Sequence, residues 1–264
     1  FISRGYGAAT SQFEQPSKAF GQTLWPYRFD MFDAGYDPAS YYSKTQPNVR
    51  GDVDFMGSGS WSTRTSGNSY YGYYGVLKHG VPGGLCEGYF HTYQPGRHRA
   101  LNHDHCHMEG ISYYRAMLAW FGADPDTLGY ICGTVKDMDN KITHGLFKYA
   151  ARTNDQWLPC NGATVYLLNV MGDTLQSYQV DSFYNGTFVF YDLQPGTYHL
   201  AASCDGYYDL DEEQRTADVV VTANTTTFPF LYLRDTTWAP PAVVYENYPD
   251  KSSGVSGLNG QYKI

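Results

Sequence analysis

The sequence lacks any apolar run approaching the roughly 20 residues that a membrane-spanning helix requires, so we expect no segment to cross a bilayer. It also has little charge: 17% of the residues are charged and the formal net charge is -8. Nucleic-acid binding needs clustered Lys and Arg to neutralise phosphates, so this composition argues against such a partner. No signal peptide and no initiator Met precede Phe1, which predicts a mature or trimmed product, or part of a longer polypeptide.

The chain also lacks a CxxC pair, which disfavours a zinc ribbon or a thioredoxin-like motif. Its five cysteines leave at least one thiol unpaired. The sequence leaves open whether the others are buried free thiols or form one or two disulfides. The cysteines are Cys86, Cys106, Cys132, Cys160 and Cys204.

Aromatic residues are abundant, at 17% of the chain, because Tyr alone supplies 26 residues. Tyrosine offers a large amphipathic surface that suits carbohydrate-like ligands. The length of 264 residues predicts about two domains. The patterning divides the chain into a mixed α/β region (1–122), a linker (123–129), an all-β sandwich (130–234) and a further linker or the start of another module (235–264).

Two helices are predicted from apolar spacing. One extends from Ser17 to Phe32 and is kinked or interrupted at Pro26, since proline cannot continue the hydrogen-bond ladder. The other extends from Asn102 to Phe121 and stops at Gly122. Its apolar stripe is expected to be buried and consists of Met108, Ile111, Tyr114, Leu118 and Phe121.

Short strands with turn residues between them follow the linker, at the spacing of a β-sandwich. The predicted strands are 130–135, 163–170, 187–191, 198–203, 218–222 and 228–233. A further short buried strand is expected before Glu87 and would present that residue at its end.

The run from Val81 to Phe90, VPGGLCEGYF, resembles the closing motif of zinc-dependent N-acetylmuramoyl-L-alanine amidases, in which a buried strand leads to a catalytic glutamate. Its continuation to Asn102 resembles a branch of that family in secreted Bacteroidetes proteins. Arg4-Gly5-Tyr6 is similar to the same branch. The resemblance covers roughly residues 1–122 and implies an incomplete α/β amidase-like domain.

The family binds zinc through two histidines and a glutamate, and the motifs that carry them are missing from this sequence. Either residue 1 follows the last ligand of a longer domain, or Phe1-Ile2-Ser3 is a degenerate ligand strand that has lost its His. We expect truncation. Zinc is therefore the cofactor expected for the complete domain, with its ligands upstream of residue 1.

The downstream region resembles carboxypeptidase regulatory-like and collagen-adhesin-B-like sandwich modules. Gly162-Ala163-Thr164-Val165 and Pro195-Gly196-Thr197-Tyr198 are in the usual order, and the Pro-Gly pair makes the turn before a strand. Such modules are commonly spacers or binding units.

Glu87 is the predicted catalytic residue, because a carboxylate beside a metal-bound water can take its proton and return it to the leaving amine. A salt-bridged or helix-capping glutamate is the alternative. The resemblance places His91, His98, Arg99 and Asn102 beside it as substrate-binding residues, whereas stabilisation of the loop is their other possible role.

Two further clusters contain residue types that bind metals. His103, His105 and His107 alternate, but on a helix these side chains would fan out around the axis, which favours surface or helix-start histidines. The acidic sets are 137, 139 and 140, and 205, 209 and 211. Neither follows an EF-hand pattern, so solvated turns are expected.

The leading hypothesis is therefore a secreted, periplasmic or cell-surface hydrolase that cleaves the N-acetylmuramoyl-L-alanine amide of peptidoglycan. The alternative is a catalytically inactive cell-envelope or glycan-binding protein, and a polysaccharide lyase-like protein is a weaker one. The expected partners are peptidoglycan or another glycan, and further modules of the same polypeptide.

Overall fold

The structure, a computed structural model, describes residues 2–4, 14–31, 83–85, 93–149, 153–208 and 217–237. The helices in these ranges are α1 (Glu14–Phe29), α2 (Gln94–Ala100) and α3 (His103–Phe121), with a short 3-10 helix at Asn154–Gln156. The strands are β1 (Ile2–Arg4), β2 (Gly83–Leu85), β3 (Gly129–Lys141), β4 (Trp157–Pro159), β5 (Thr164–Leu168), β6 (Thr174–Gln179), β7 (Thr187–Leu193), β8 (Gly196–Ser203), β9 (Tyr207–Tyr208), β10 (Ala217–Val221), β11 (Thr226–Thr227) and β12 (Phe230–Asp235).

The predicted fold class, an α/β amidase-like domain followed by an immunoglobulin-like sandwich, is wrong. The described residues are mostly β, in two large sheets with few helices, and no α/β amidase fold is evident among them. The strand expected before Glu87 is present as β2, but it pairs antiparallel with β1 in a small two-stranded sheet.

The first large sheet has the strand order β10-β8-β5-β6 and is antiparallel throughout. The second is built around β3, which pairs antiparallel with β4 and β7 and parallel with β11 and β12. Strand β9 extends this sheet beyond β12. Each of the six predicted strands after the linker overlaps an observed one, whereas β4, β6, β9 and β11 were not predicted.

The sheets enclose the main hydrophobic core, which includes the fully buried rings of Phe188 and Phe190. Strand β3 contributes Ile131 and Val135 to this core. Tyr130 and Cys132, whose side chains point to the other face of the strand, belong to a second cluster on the opposite side. Because both faces are covered, every residue from 129 to 137 is buried. A strand that is covered on both faces is buried at every residue instead of at alternate residues.

A helical layer covers the second face of β3. Met108 of α3 and Met31, just after α1, pack with Tyr130, Cys132 and Val189 in the second cluster. Helix α1 is held against α3 by an ion pair between Arg28 and Glu109 at 2.8 Å and by edge-on stacking of Phe20 on Trp120. The molecule therefore has three layers in this region: sheet, sheet and helices.

The boundaries of α3 agree with the prediction, but its buried face does not. Asn102 caps the first turn through its side chain, and Gly122 ends the helix at φ 65°. The buried residues are His105, Met108, Ser112, Arg115 and Ala116. Tyr114 and Phe121 of the predicted stripe are exposed, at 51% and 78%. The prediction missed the buried polar residues of this face. His105 and Arg115 contact β3 and β11, whereas Ser112 donates to the Tyr27 carbonyl oxygen and the Met31 sulfur on the α1 side.

Helix α1 continues through Pro26 instead of breaking there. The helix ends one turn later, where Asp30 N–H donates to the Pro26 carbonyl at 3.1 Å. None of the helices in the described part of the chain combines the length and apolar character that a membrane crossing needs.

Candidate functional site

Two of the predicted site residues, Glu87 and His91, lie outside the described residues. Strand β2 ends two residues before Glu87. The catalytic role of Glu87 and the substrate-binding role of His91 therefore stay predictions. The other three, His98, Arg99 and Asn102, are described, and all three contact the β-sandwich.

Arg99 forms a buried ion pair with Asp155 of the 3-10 helix. Its two terminal nitrogens donate to the two carboxylate oxygens at 2.7 and 3.3 Å, and Tyr93 donates its hydroxyl to the same carboxylate at 2.5 Å. Burial raises the pKa of Asp155, but the Arg99 charge and these hydrogen bonds, with Lys136 nearby, outweigh it and hold that pKa below its usual value. A bidentate pair of this kind fixes the orientation of both elements.

Asn102 has two roles at once. Its side-chain oxygen accepts from His105 N–H at 2.7 Å and so caps α3, while its amide nitrogen donates to Asp181 at 2.8 Å. Next to it, Asp104 accepts hydrogen bonds from the hydroxyls of Tyr178 and Tyr191 at 2.8 and 3.0 Å. The start of α3 is therefore tied to the sandwich.

His98 is half-buried between aromatic rings. Its Nδ1 lies 2.8 Å from the Phe183 carbonyl oxygen, and its ring packs near those of Phe147 and Tyr184. With Nδ1 as the donor, Nε2 is left as an acceptor.

Arg115 is a further contact that the sequence did not single out. It donates to the Thr226 hydroxyl and the Thr225 carbonyl, both at 3.0 Å, and its guanidinium lies 4.2 Å from the centre of the Tyr130 ring. The Asp126 carboxylate is 3.6 Å away. We call the whole set the helix–sandwich junction, and it consists of Tyr93, Arg99, Asn102, Asp104 and Arg115 on the helical side and Asp155, Tyr178, Asp181, Tyr191 and Thr226 on the other.

Burial lowers the pKa of two basic side chains beside the junction, far enough to keep His105 neutral at pH 7 but not Lys136. Desolvation, with the charges of Arg99 and Arg28, lowers the pKa of His105 to about 3, and its Nδ1 lies 3.6 Å from the Cys132 thiol. Desolvation lowers the pKa of Lys136 to about 8. In both residues burial disfavours the charged form and so lowers the pKa.

The histidines at the start of α3 do not come together as metal ligands, and Asp209 and Asp211 of the second acidic set lie outside the described residues. His103 and His107 are exposed, His107 lies 5.1 Å from the Tyr191 ring, and His105 points into the core. Within the described ranges no group of three or more His, Cys, Asp or Glu could hold a metal ion. Asp137, expected in a solvated turn, is instead buried and accepts from the backbone amides of Asp139 and Asn140.

A polar cleft of about 320 Å³ lies where α1 meets the turn between β10 and β11. Asn224 adopts a left-handed φ of 58° in this turn and donates its amide to the Tyr27 hydroxyl at 3.3 Å. Its side-chain oxygen is buried and accepts no hydrogen bond. The cleft is lined by Thr23, Pro26, Tyr27, Asp30, Ala223, Asn224 and Thr225. Its two walls are about 200 positions apart in sequence, so no local motif could have revealed it.

No protein-family model matches the chain, and no curated protein matches it either. Solved structures that resemble it include the Bacillus anthracis TIE protein (17% identity, TM-score 0.30), the group B streptococcus pilus 2b backbone protein (18%, 0.28) and a DUF3823 family protein from Bacteroides uniformis (14%, 0.26). They cover 40%, 41% and 41% of this chain, and the matched parts are 17%, 42% and 43% of those chains. The chain thus spans less than half the length of each, and similarity of this extent carries no information on activity.

The interpretation as a zinc-dependent amidase is wrong. No family model supports the amidase resemblance, and the reported neighbours are a TIE protein, a pilus backbone protein and a DUF3823 family protein. The hydrolase and peptidoglycan-cleavage designations are wrong with it, whereas the expectation of zinc ligands upstream of residue 1 stays a prediction. Arg99 and Asn102, which the resemblance placed in a substrate cleft, are at least 95% buried in the helix–sandwich junction.

Proposed function

We propose that this chain is a non-catalytic module of the cell envelope in which the sandwich, with its docked helices, presents a small polar cleft to a glycan. The proposal follows the alternative to the hydrolase, a catalytically inactive cell-envelope or glycan-binding protein, and assigns glycan binding to one surface. Its proposed location is secreted, periplasmic or at the cell surface, where such ligands occur.

The observation that carries this proposal is the buried, unpartnered oxygen of Asn224 in the cleft. A buried acceptor without a donor costs free energy. Rotation of the Asn224 amide group turns this oxygen toward the cleft, where a ligand hydroxyl can donate to it and remove that cost. The Tyr27 hydroxyl and the Asp30 carboxylate supply further polar groups, and Pro26 adds an apolar wall. Sugars combine hydroxyls with apolar C–H faces, so they suit this lining.

The Arg99–Asp155 pair supports the non-catalytic part of the proposal. Each side chain is at least 94% buried and is engaged by the other, which leaves neither available to a substrate. The pair holds two layers together, as a rigid scaffold for the cleft requires.

The test is a binding measurement by calorimetry with soluble peptidoglycan fragments and neutral oligosaccharides. Asn224→Gly keeps the left-handed backbone and removes the amide, and Tyr27→Phe removes one hydroxyl. Each should weaken binding about 5- to 30-fold, as expected for a lost ligand hydrogen bond of roughly 1–2 kcal/mol. Tyr208→Phe, on β9 at the far end of the sheet, is the matched control and should bind as the wild type does. Equal affinity in all four proteins, or no binding to any probe, would reject the cleft as the site.

A further inference from the structure

Two thiols lie together at one edge of the sandwich. Cys160 follows β4, is 1% exposed and begins the turn Cys160–Ala163, in which Ala163 N–H donates to the Cys160 carbonyl at 3.3 Å. Gly162 occupies the left-handed position of this turn, at φ 76°. The first and last Cα atoms of such a turn are within about 7 Å of each other.

The register of the neighbouring strands brings Cys204 to the same place. Thr164 of β5 pairs with Ser203 of β8, so the next position along the antiparallel ladder sets Ala163 against Cys204. The Cys204 thiol reaches the Asn161 carbonyl oxygen at 3.6 Å, one residue from Cys160. Both cysteines also pack in the main core cluster.

The electrostatics agree with this proximity. Burial is the first cause that raises the pKa of Cys160 to about 12, and the neighbouring Cys204 thiolate is the second. Cys106 is exposed and Cys132 is buried on the opposite face of β3, so neither shares this environment.

We propose that Cys160 and Cys204 are a disulfide-forming pair that closes when the protein enters an oxidising compartment. The oxidant is a protein or small-molecule disulfide. Cys204, the more accessible thiol, attacks it as the thiolate and forms a mixed disulfide, releasing one oxidant thiol. The Cys160 thiolate then attacks Cys204 Sγ and displaces the second oxidant thiol. One S–S bond forms in the protein and one breaks in the oxidant, the two protein S–H protons end on the two oxidant thiols, and the electron pair reduces the oxidant.

The bond would close a loop that contains β5, β6, β7 and β8, three of which belong to the four-stranded sheet. A closed loop lowers the entropy of the unfolded chain, so the oxidised protein should be more stable than the reduced one. Because burial raises the pKa of both thiols, closure should be faster at pH 9 than at pH 7. The inference concerns the sandwich alone and does not depend on a ligand in the cleft.

The test incubates the full chain with oxidised glutathione, blocks remaining thiols under denaturing conditions and maps the peptides by mass spectrometry. The expected result is one cross-linked peptide pair joining Cys160 and Cys204, about 2 Da lighter than the reduced pair. Tm should rise by roughly 5–10 °C on oxidation. Cys106→Ser, the matched control, should retain the bond and the shift, whereas Cys204→Ser should lose both.

Two results would overturn the proposal. One is complete recovery of alkylated Cys160 and Cys204 after oxidation of the wild type. The other is a cross-link from either residue to a different cysteine. The peptide map is made on the wild-type chain, so it is decisive even if a serine variant fails to fold.

Discussion

Arg99 and Asp155 each carry a charge that is buried beneath the helical layer. Their side chains are 6% and 2% exposed. Removal of one partner from such a pair leaves the other charge buried and uncompensated. The remaining partners of Asp155, Tyr93 and Lys136, cannot replace the bidentate contact. The stability of the junction therefore depends on both residues together.

The first prediction concerns this pair. Asp155→Ala should lower the free energy of unfolding by about 3–5 kcal/mol, since it strands the Arg99 guanidinium. The double variant Arg99→Met/Asp155→Ala should recover part of that loss. Urea denaturation of the two single variants and the double variant measures the coupling. Strictly additive losses would mean that the pair contributes no specific interaction.

The second prediction follows from the buried, neutral His105. Its folded pKa of about 3 lies below the unfolded value of 6.5, so between these values only the unfolded chain binds the proton. Stability should therefore fall as pH decreases through this window. By pH 4.5 the loss should be on the order of 3 kcal/mol relative to pH 7.

The variant His105→Gln should show a smaller acid loss over the same window, measured by urea denaturation at each pH. His107→Gln changes an exposed histidine on the same helix and should retain the wild-type loss. If the acid dependence were the same in all three proteins, His105 would not be its source.

At the scale of elements, β3 is the strand on which both halves of the structure pack. Gly133 lies where the chain has no room: a Cβ there would come within 2.5 Å of the Phe188 ring and 2.6 Å of the Pro229 carbonyl. Gly110 of α3, by contrast, has nothing within 4 Å of its Cβ position. These two glycines respond to substitution in opposite ways.

The third prediction compares them. Gly133→Ala should lower the free energy of unfolding by about 1–3 kcal/mol, because the core must move to accept the methyl group. Gly110→Ala should stabilise it by up to about 1 kcal/mol through helix propensity. Thermal unfolding of both variants measures the difference. A neutral Gly133→Ala would contradict the tight packing between β3, β7 and the segment before β12.

The same elements mark how far the sequence could predict the structure. The six strands after the linker were predictable because alternation and turn residues are local signals, and so were the ends of α3, which carry a cap and a glycine. The buried face of α3 was not, since its polar residues His105, Ser112 and Arg115 are buried only through partners elsewhere in the chain. Arg115 reaches Thr226, and Ser112 reaches Met31.

At the scale of the whole molecule, the contacts of the junction and of the cleft join distant segments. Arg99 meets Asp155, and Tyr27 meets Asn224 across nearly the full described chain. Short motifs cannot report such pairs. The amidase resemblance rested on the run from Val81 to Phe90, its continuation to Asn102 and Arg4-Gly5-Tyr6. These local motifs contain no information on what residues 93–121 pack against. The sequence predicted Arg99 and Asn102 as substrate-binding residues, and in the structure their side chains contact Asp155 and Asp181; the substrate-binding role stays a prediction.

The central claim is that helix α3 and the sandwich form one body through the helix–sandwich junction. Hydrogen exchange followed by mass spectrometry tests it most directly, because amides that open together share one opening free energy. The account predicts equal protection for the interior amides of α3 and β3 in the wild type, and a selective loss of protection in α3 for Asp155→Ala. Wild-type α3 amides that exchange orders of magnitude faster than those of β3, and that do not respond to Asp155→Ala, would contradict it.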